Sequence, residues 1–300
     1  MVKKSLPPES IYRHRGYTDQ DIEKAESRSR LESELHAAKE GRVWFSPLSN
    51  QNDPLDTLPV FVHSKRAEIK RLIKAFKAKY GSSTGYSGID IRVRARKLGI
   101  PIRRARETFG NPDNFKTSFP RILEDSRKLQ VICCFTDSPL NSLMWAYYSC
   151  SHQSFCYEFV CNKPDLDLAK RVVGQVKYLD ARPRLTTVKA IRWLVNASQS
   201  ENPPTAPELI VSDAEEKEVT DALVLSKSQD LRHEGEWRAI QPVGVSSGFH
   251  SIEPYRLNSI VFGVNASNRL KEFVSSSIGP EVQVKQLKLS EEEYGLEFSS

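Results

Sequence analysis

No apolar run in this 300-residue chain approaches the roughly 20 residues needed to cross a bilayer, so a membrane-spanning helix is not expected. The stretch Met1 to Ser10 carries positive charge but no apolar segment behind it, which argues against a secretory leader. Cysteine is scarce: Cys133, Cys134, Cys150, Cys156 and Cys161 form an odd set in one stretch, without the spacing of a disulfide framework. Such thiols fit a reducing cytoplasm and behave as small core residues. Cys150, His152 and Cys156 are near one another, but no Cys-x-x-Cys or second ligand cluster accompanies them, so no metal is expected. Also missing are Gly-x-x-x-x-Gly-Lys-Ser/Thr, Gly-x-Gly-x-x-Gly and Gly-x-Ser-x-Gly, which removes the usual phosphate loops and the serine-hydrolase elbow.

What is present is ordinary globular composition, 39% hydrophobic and 27% charged, enough to fill a sizeable core. The net charge of +6 hides an asymmetry. Between Lys65 and Lys128 there are 18 Lys and Arg against 6 Asp and Glu, so the rest of the chain is net acidic. A basic block of this kind meets phosphate backbones or an anionic ligand, or it is a solvated helical insertion.

Apolar patterning places strands at Ile11–Arg15, Val43–Ser46, Val131–Phe135, Phe155–Val160, Val176–Tyr178, Glu236–Ile240, Ser259–Phe262 and Val282–Leu287. Helices are predicted from Thr18, an N-cap, to Lys39 before Gly41, with Leu31, Leu35 and Ala38 inward. Others are predicted over Ser64–Lys79, after Asp137-Ser138-Pro139, and over Thr186–Ala197, Glu208–Leu225 and Ser267–Ser277. Polar loops fill Gly81 to Gly88 and Ser198 to Pro207. Strands scattered among helices without βαβ alternation predict a single α+β domain over residues 1–300. Its central mixed or antiparallel sheet is flanked by helices, and residues 65–128 form a basic helical insertion.

Four stretches carry a family resemblance: Tyr12-Arg-His-Arg15, Trp44-Phe-Ser-Pro47 running into Asn52-Asp-Pro54, Leu143-Met-Trp145 with Tyr148 and His152, and Glu234-Gly-Glu-Trp-Arg238. In order and spacing, from Ile11 to Val264, they resemble the bacterial domain-of-unknown-function family 2971. This chain departs from that pattern at Tyr147, where a His is usual, and at Ser154, where a Gly is common. The resemblance names residues to examine and implies no activity.

Glu234 and Glu236 are two apart in a strand-like stretch, so they are expected on one face, where crowding raises one carboxyl pKa and makes an acid or a poised base. The alternative is a salt-bridged edge strand using Arg238 or Arg232. Arg13 and Arg15 share a face opposite Tyr12 and His14, and their guanidinium forks suit phosphate or simply face solvent. Asn52 and Asp53 can serve a ligand or their own turn. Trp44 and Phe45 divide into one core and one wall residue. Met144, Trp145 and Tyr148 lie one helical turn apart, as core or as the wall of a nicotinamide or adenine slot. His152 follows as a base or a loop histidine.

Together these positions resemble the ADP-ribosyltransferase superfamily, in which a first-strand Arg or His holds NAD, a Ser or Tyr on the next strand supports it, and a late Glu does the chemistry. The resemblance assigns those parts to Arg13, Ser46 and the Glu234-x-Glu236 pair. It implies that the last Glu bonds the ribose and stabilises the oxocarbenium-like charge, while the other prepares the acceptor. The expected site is a cleft of Arg13, Arg15, Ser46, Asn52, Trp145, Tyr148 and His152 for NAD, with Glu234 and Glu236 catalytic, in a bacterial cytoplasmic enzyme of defence or toxin type. The rival expectation is a nucleic-acid-binding or nucleic-acid-modifying protein that uses the basic block with Tyr80, Tyr86 and Phe109. A third is a non-enzymatic interaction module.

Overall fold

The six apolar segments expected at the centre do form one sheet. A computed structural model describes residues 6–53, 55–80, 124, 127–128, 130–197, 210–242 and 245–299. Its strands are β1 (Ser10–Arg15), β2 (Arg42–Pro47), β3 (Val60–Val62), β4 (Val131–Thr136), β5 (Phe155–Val160), β6 (Val173–Gln175) and β7 (Lys177–Leu179). They continue as β8 (Arg184–Thr186), β9 (Ser226–Ser228), β10 (Glu236–Ile240), β11 (Gly248–Ser251), β12 (Arg256–Phe262), β13 (Gln283–Leu289) and β14 (Leu296–Phe298). Ten of them make a mixed sheet in the order β11-β2-β4-β1-β5-β12-β13-β14, with β10 on β4 and β6 on β10. Only β12 and β13 pair in parallel within it, and β3–β8 and β7–β9 are separate parallel pairs.

The fold is α+β, with helices on the faces of this sheet. Helices α1 (Asp19–Glu23), α2 (Ala25–Lys39) and α3 (Arg66–Tyr80) precede β4. After it come α4 (Ser142–Tyr148), α5 (Leu166–Val172), α6 (Thr187–Ala197), α7 (Asp213–Leu223) and α8 (Asn268–Ile278). Leu31, Leu35 and Ala38 of α2 pack with Leu270, Val274 and Ile278 of α8 in the same core as Ile11, Phe45 and Phe159 of the sheet. Ile69 and Leu72 of α3, Ile191 and Trp193 of α6 and Leu223 of α7 form a second core with Ile132 of β4. Burying such side chains contributes about 1.5–3 kcal/mol each.

Three expectations change. The helix from Thr18 to Lys39 is broken: Thr18 and Asp21 close a capping box, then Lys24 leaves helical geometry at ψ 119°. Arg28 Nε donates to the Ile22 carbonyl freed by that break. Gly41, at φ +68°, ends α2 in the left-handed region that glycine enters at little cost. Helix α4 begins at Ser142, later than the Asp-Ser-Pro triplet suggests, because the Asn141 side chain accepts from the Leu143 amide. Glu208–Leu225 shortens to α7, with Ser212 as its cap, and Ser226–Ser228 becomes a strand. Of the basic insertion, α3 is described. The loop from Gly81, the second basic stretch to Phe109 with Tyr86, and the Ser198–Pro207 loop lie outside the described residues. No described helix is long and apolar enough to cross a membrane.

Strand β4 positions the site. One edge is occupied by β10 from Ile132 to Thr136. The other edge is shared: β2 pairs at Val131 and Ile132, and β1 at Thr136. No described strand pairs with Cys133–Phe135 on that edge, so the sheet forks there into a β2–β11 branch and a β1–β5–β12 branch.

Candidate functional site

A cleft of about 290 Å³ lies at this fork, close to the lower size of ordinary small-molecule sites, roughly 300 Å³. The two branches supply its walls. Residues paired across neighbouring strands share a sheet face, so Ser259, Glu158, Tyr12, Thr136 and Glu236 form one transverse row over β12, β5, β1, β4 and β10. Tyr12 and Glu236 are two strand spacings apart, about 10 Å.

Seven of the nine expected site residues line this cleft: Arg13, Arg15, Ser46, Asn52, Tyr148, Glu234 and Glu236. They do not share one sheet face. Arg13 pairs with Tyr157 and Arg15 with Phe155, both in the core under α2, whereas Glu236 is on the opposite face with Tyr12. The fork lets Arg13 reach the cleft. Arg15 pairs with Glu34 of α2 at 2.5 Å, an ion pair at the cleft wall. Arg13 donates to the Cys133 thiol, a weak acceptor, and among the described residues no carboxylate pairs with it.

Trp145 and His152 fall outside the cleft lining. Trp145 is fully buried, and its Nε1 donates to the Pro139 carbonyl at 2.6 Å. It is a core residue: Tyr148 reaches the cleft, whereas Trp145 packs against Cys156 and Val261 on the same sheet face as Tyr12. His152 belongs to a left-handed turn formed with Cys150 and Ser151. Its carbonyl accepts from the Asn265 amide, and its ring is stacked on Trp145, with centroids 6.4 Å apart. Among the described residues no group of His, Cys, Asp and Glu could hold a metal.

The paired glutamates meet by a route other than strand alternation. Glu234 ends a 3₁₀ turn, Gln229–Glu234, and Gly235 at φ +52° reverses the chain into β10. Both carboxylates then converge on Lys227, which bonds Glu234 Oε2 at 2.5 Å and Glu236 Oε2 at 3.0 Å. Arg238, fully buried, donates its Nε to Glu236 Oε1 at 2.7 Å and its Nη2 to Asp56 Oδ2 at 2.6 Å. Tyr148 donates its hydroxyl to Glu234 Oε1 at 2.7 Å. Strand β10 is no edge strand, since β4 and β6 flank it.

At Glu236 the expected alternative holds in part: the residue is salt-bridged to Arg238, and its carboxyl is not the one that crowding raises. Burial does push it up, but Arg238 and then Lys227 outweigh that and hold Glu236 well below the ordinary carboxylate range. Burial likewise opposes the charge on Lys227, and Glu236 and Glu234 reverse it. Asp56 is raised by burial, with Arg238 only partly offsetting this, and its Oδ1 is buried without a partner. Three carboxylates thus share two cations, and Glu236 is an ionised group instead of a proton donor.

Sequence reasoning missed Asp56, Lys227 and His14. His14 lines the cleft, with Nδ1 3.0 Å from Ser149 Oγ. Burial, then His152, lowers its pKa to about 3, so the ring is neutral. No sequence spacing marks Asp56, because its partner Arg238 is 182 residues away, and Lys227, although close in sequence to Glu234 and Glu236, sits in a three-residue strand too short to show a period. Trp44 is the expected wall residue and Phe45 the core one. Asp53 takes the turn role by accepting from the Leu55 amide at 2.9 Å. Asn52 faces the cleft. No family model, curated protein or solved structure matches the chain.

Proposed function

We propose that the fork cleft binds NAD and that the chain is an ADP-ribosyltransferase-like enzyme, transferring ADP-ribose to a macromolecular or nucleic-acid acceptor or to water. The observation that carries this reading is an ionised Glu236 in the same cleft as Arg13, a guanidinium with no carboxylate partner among the described residues. The motifs that resemble family 2971 supply both groups. In the proposed reaction the bond between ribose C1′ and the nicotinamide nitrogen breaks, and its electron pair neutralises the pyridinium. The acceptor then bonds C1′ and releases its proton. A carboxylate fixed in ionised form stabilises positive charge developing at C1′, and preorganised charges of this kind are worth about 10²–10³ in rate. Lys227 and Arg238 orient Glu236, and Tyr148 orients Glu234. Five free thiols suit a reducing cytoplasm as the setting.

The test is nicotinamide release from NAD by the purified protein, alone and with cell lysate or nucleic acid, comparing wild type with Glu236→Gln. Release that disappears in the variant supports the proposal. Absence of both release and NAD binding transfers the function to nucleic-acid binding or to an interaction module.

A further inference from the structure

Of the four tryptophans, Trp145, Trp193 and Trp237 are at most 8% exposed, whereas Trp44 is 38% exposed. It lies on β2 between Val43 and Phe45, both in the core, so alternation turns its indole away from the core. Phe249, its register partner on β11, holds it edge-on at 5.2 Å and 84°. Trp44 lines the fork cleft together with Arg13, and both also line a smaller cavity next to it. Asn50, Gln51 and Asn52 follow in the same cleft wall. Cleft, exposed indole, cation and amides are each things a nucleotide uses: a π face, a phosphate partner and a base edge.

We infer that Trp44 is a stacking platform for adenine, with Arg13 taking the phosphate and the Asn50–Asn52 amides reading the base edge. A side-chain amide offers a donor and an acceptor together, which matches the N6/N7 edge of adenine, whereas guanine favours Arg or Lys. That three-residue stretch holds amides and no cation. The inference rests on the NAD reading above, since it assigns the adenine half of the same ligand, but it is tested without catalysis. It also corrects the choice of aromatic, because the expected slot residue Trp145 is sealed in the core.

All four indoles emit, so the signal of Trp44 is read as the difference between wild type and the Trp44 variants. Wild type is titrated with AMP, adenosine, CMP and ribose 5-phosphate, and so are Trp44→Leu, Trp44→Phe and Arg13→Gln, with calorimetry alongside. AMP should quench emission and bind more tightly than CMP or adenosine. Trp44→Leu should lose the quench and about tenfold or more in AMP affinity while keeping its ribose 5-phosphate affinity, which shows an intact cleft. Trp44→Phe should retain most of the AMP affinity, and Arg13→Gln should bind AMP no better than adenosine. AMP affinity unchanged in Trp44→Leu, or no AMP binding by wild type, overturns the inference. NAD cleavage by Trp44→Leu with unchanged KM overturns this assignment and leaves the enzyme reading standing. AMP stacking with no NAD cleavage does the reverse.

Discussion

Two buried carboxylates stand in the same transverse row of the sheet, three strand spacings or about 14 Å apart, and they are treated differently. Glu158 accepts from Tyr12 at 3.0 Å, from Asn258 at 2.8 Å, from Lys285 at 2.6 Å and from Ser259. Both of its oxygens are satisfied, three of its four donors are neutral and the fourth, Lys285, is partly exposed, and it lines neither the fork cleft nor the smaller cavity beside it. Glu236 borders the cleft and is held by two buried cations that it shares with Glu234 and Asp56, one of whose oxygens is left unpartnered. Burial raises and the surrounding donors lower the pKa of both groups, with the net shift downward in each. A lowered carboxyl pKa therefore does not mark a site. The marks are the cavity and a surplus of carboxylates over cations.

That contrast can be broken at its cations. Arg238→Met should cost about 3–5 kcal/mol of unfolding free energy, because Glu236 and Asp56 are left buried without their main counter-charge. Urea denaturation reads the loss. Lys285→Met at the other node should cost only about 1 kcal/mol, since Lys285 is partly exposed and three neutral donors remain on Glu158. Equal costs would mean the two nodes are the same kind of structure.

Acid gives the next largest effect. The folded pKa of His14 is about 3 against an ordinary 6.5, so the native state refuses a proton that the unfolded chain accepts. Its contribution is complete above pH 6.5 and is lost as pH falls from 6.5 toward 3, about 2 kcal/mol by pH 5. The carboxylate nodes, with lowered pKa, lose their contribution only further down, below the ordinary carboxylate value. Denaturation curves at pH 7 and pH 5 should therefore show a drop in wild type that is clearly smaller in His14→Gln, the remainder coming from His152, whose pKa burial also lowers. A parallel drop in the variant would assign the acid sensitivity elsewhere.

A further effect of similar size to that of Lys285→Met concerns the turn that brings the two glutamates together. Gly235→Ala places a Cβ at left-handed φ and 2.6 Å from Asp137 Oδ1. It should cost about 1–2 kcal/mol in thermal unfolding. A neutral result would show that the turn can re-form without glycine.

Much of this architecture is legible in the sequence where apolar runs are short and bounded. Phe155–Val160 and Glu236–Ile240 are strands with the expected limits, and Ser267 caps α8 through the Leu270 amide. Three-residue strands such as Ser226–Ser228 carry too few side chains to show a period, and Lys227 is hidden in one. The cleft is half legible for the same reason. Arg13, Ser46, Tyr148, Glu234 and Glu236 stand out as local oddities, whereas Asp56 gains meaning only through Arg238. Trp145 misleads because helical spacing places it near Tyr148 without saying which side chain faces the core.

The most direct test of the central claim is the rate of nicotinamide release from NAD by wild type, Glu236→Gln and Glu158→Gln, all measured where each is folded. Loss of about 100-fold or more in Glu236→Gln, with Glu158→Gln close to wild type, is the predicted result. Equal rates for the two variants, or a Glu236→Gln rate equal to wild type, would contradict the account.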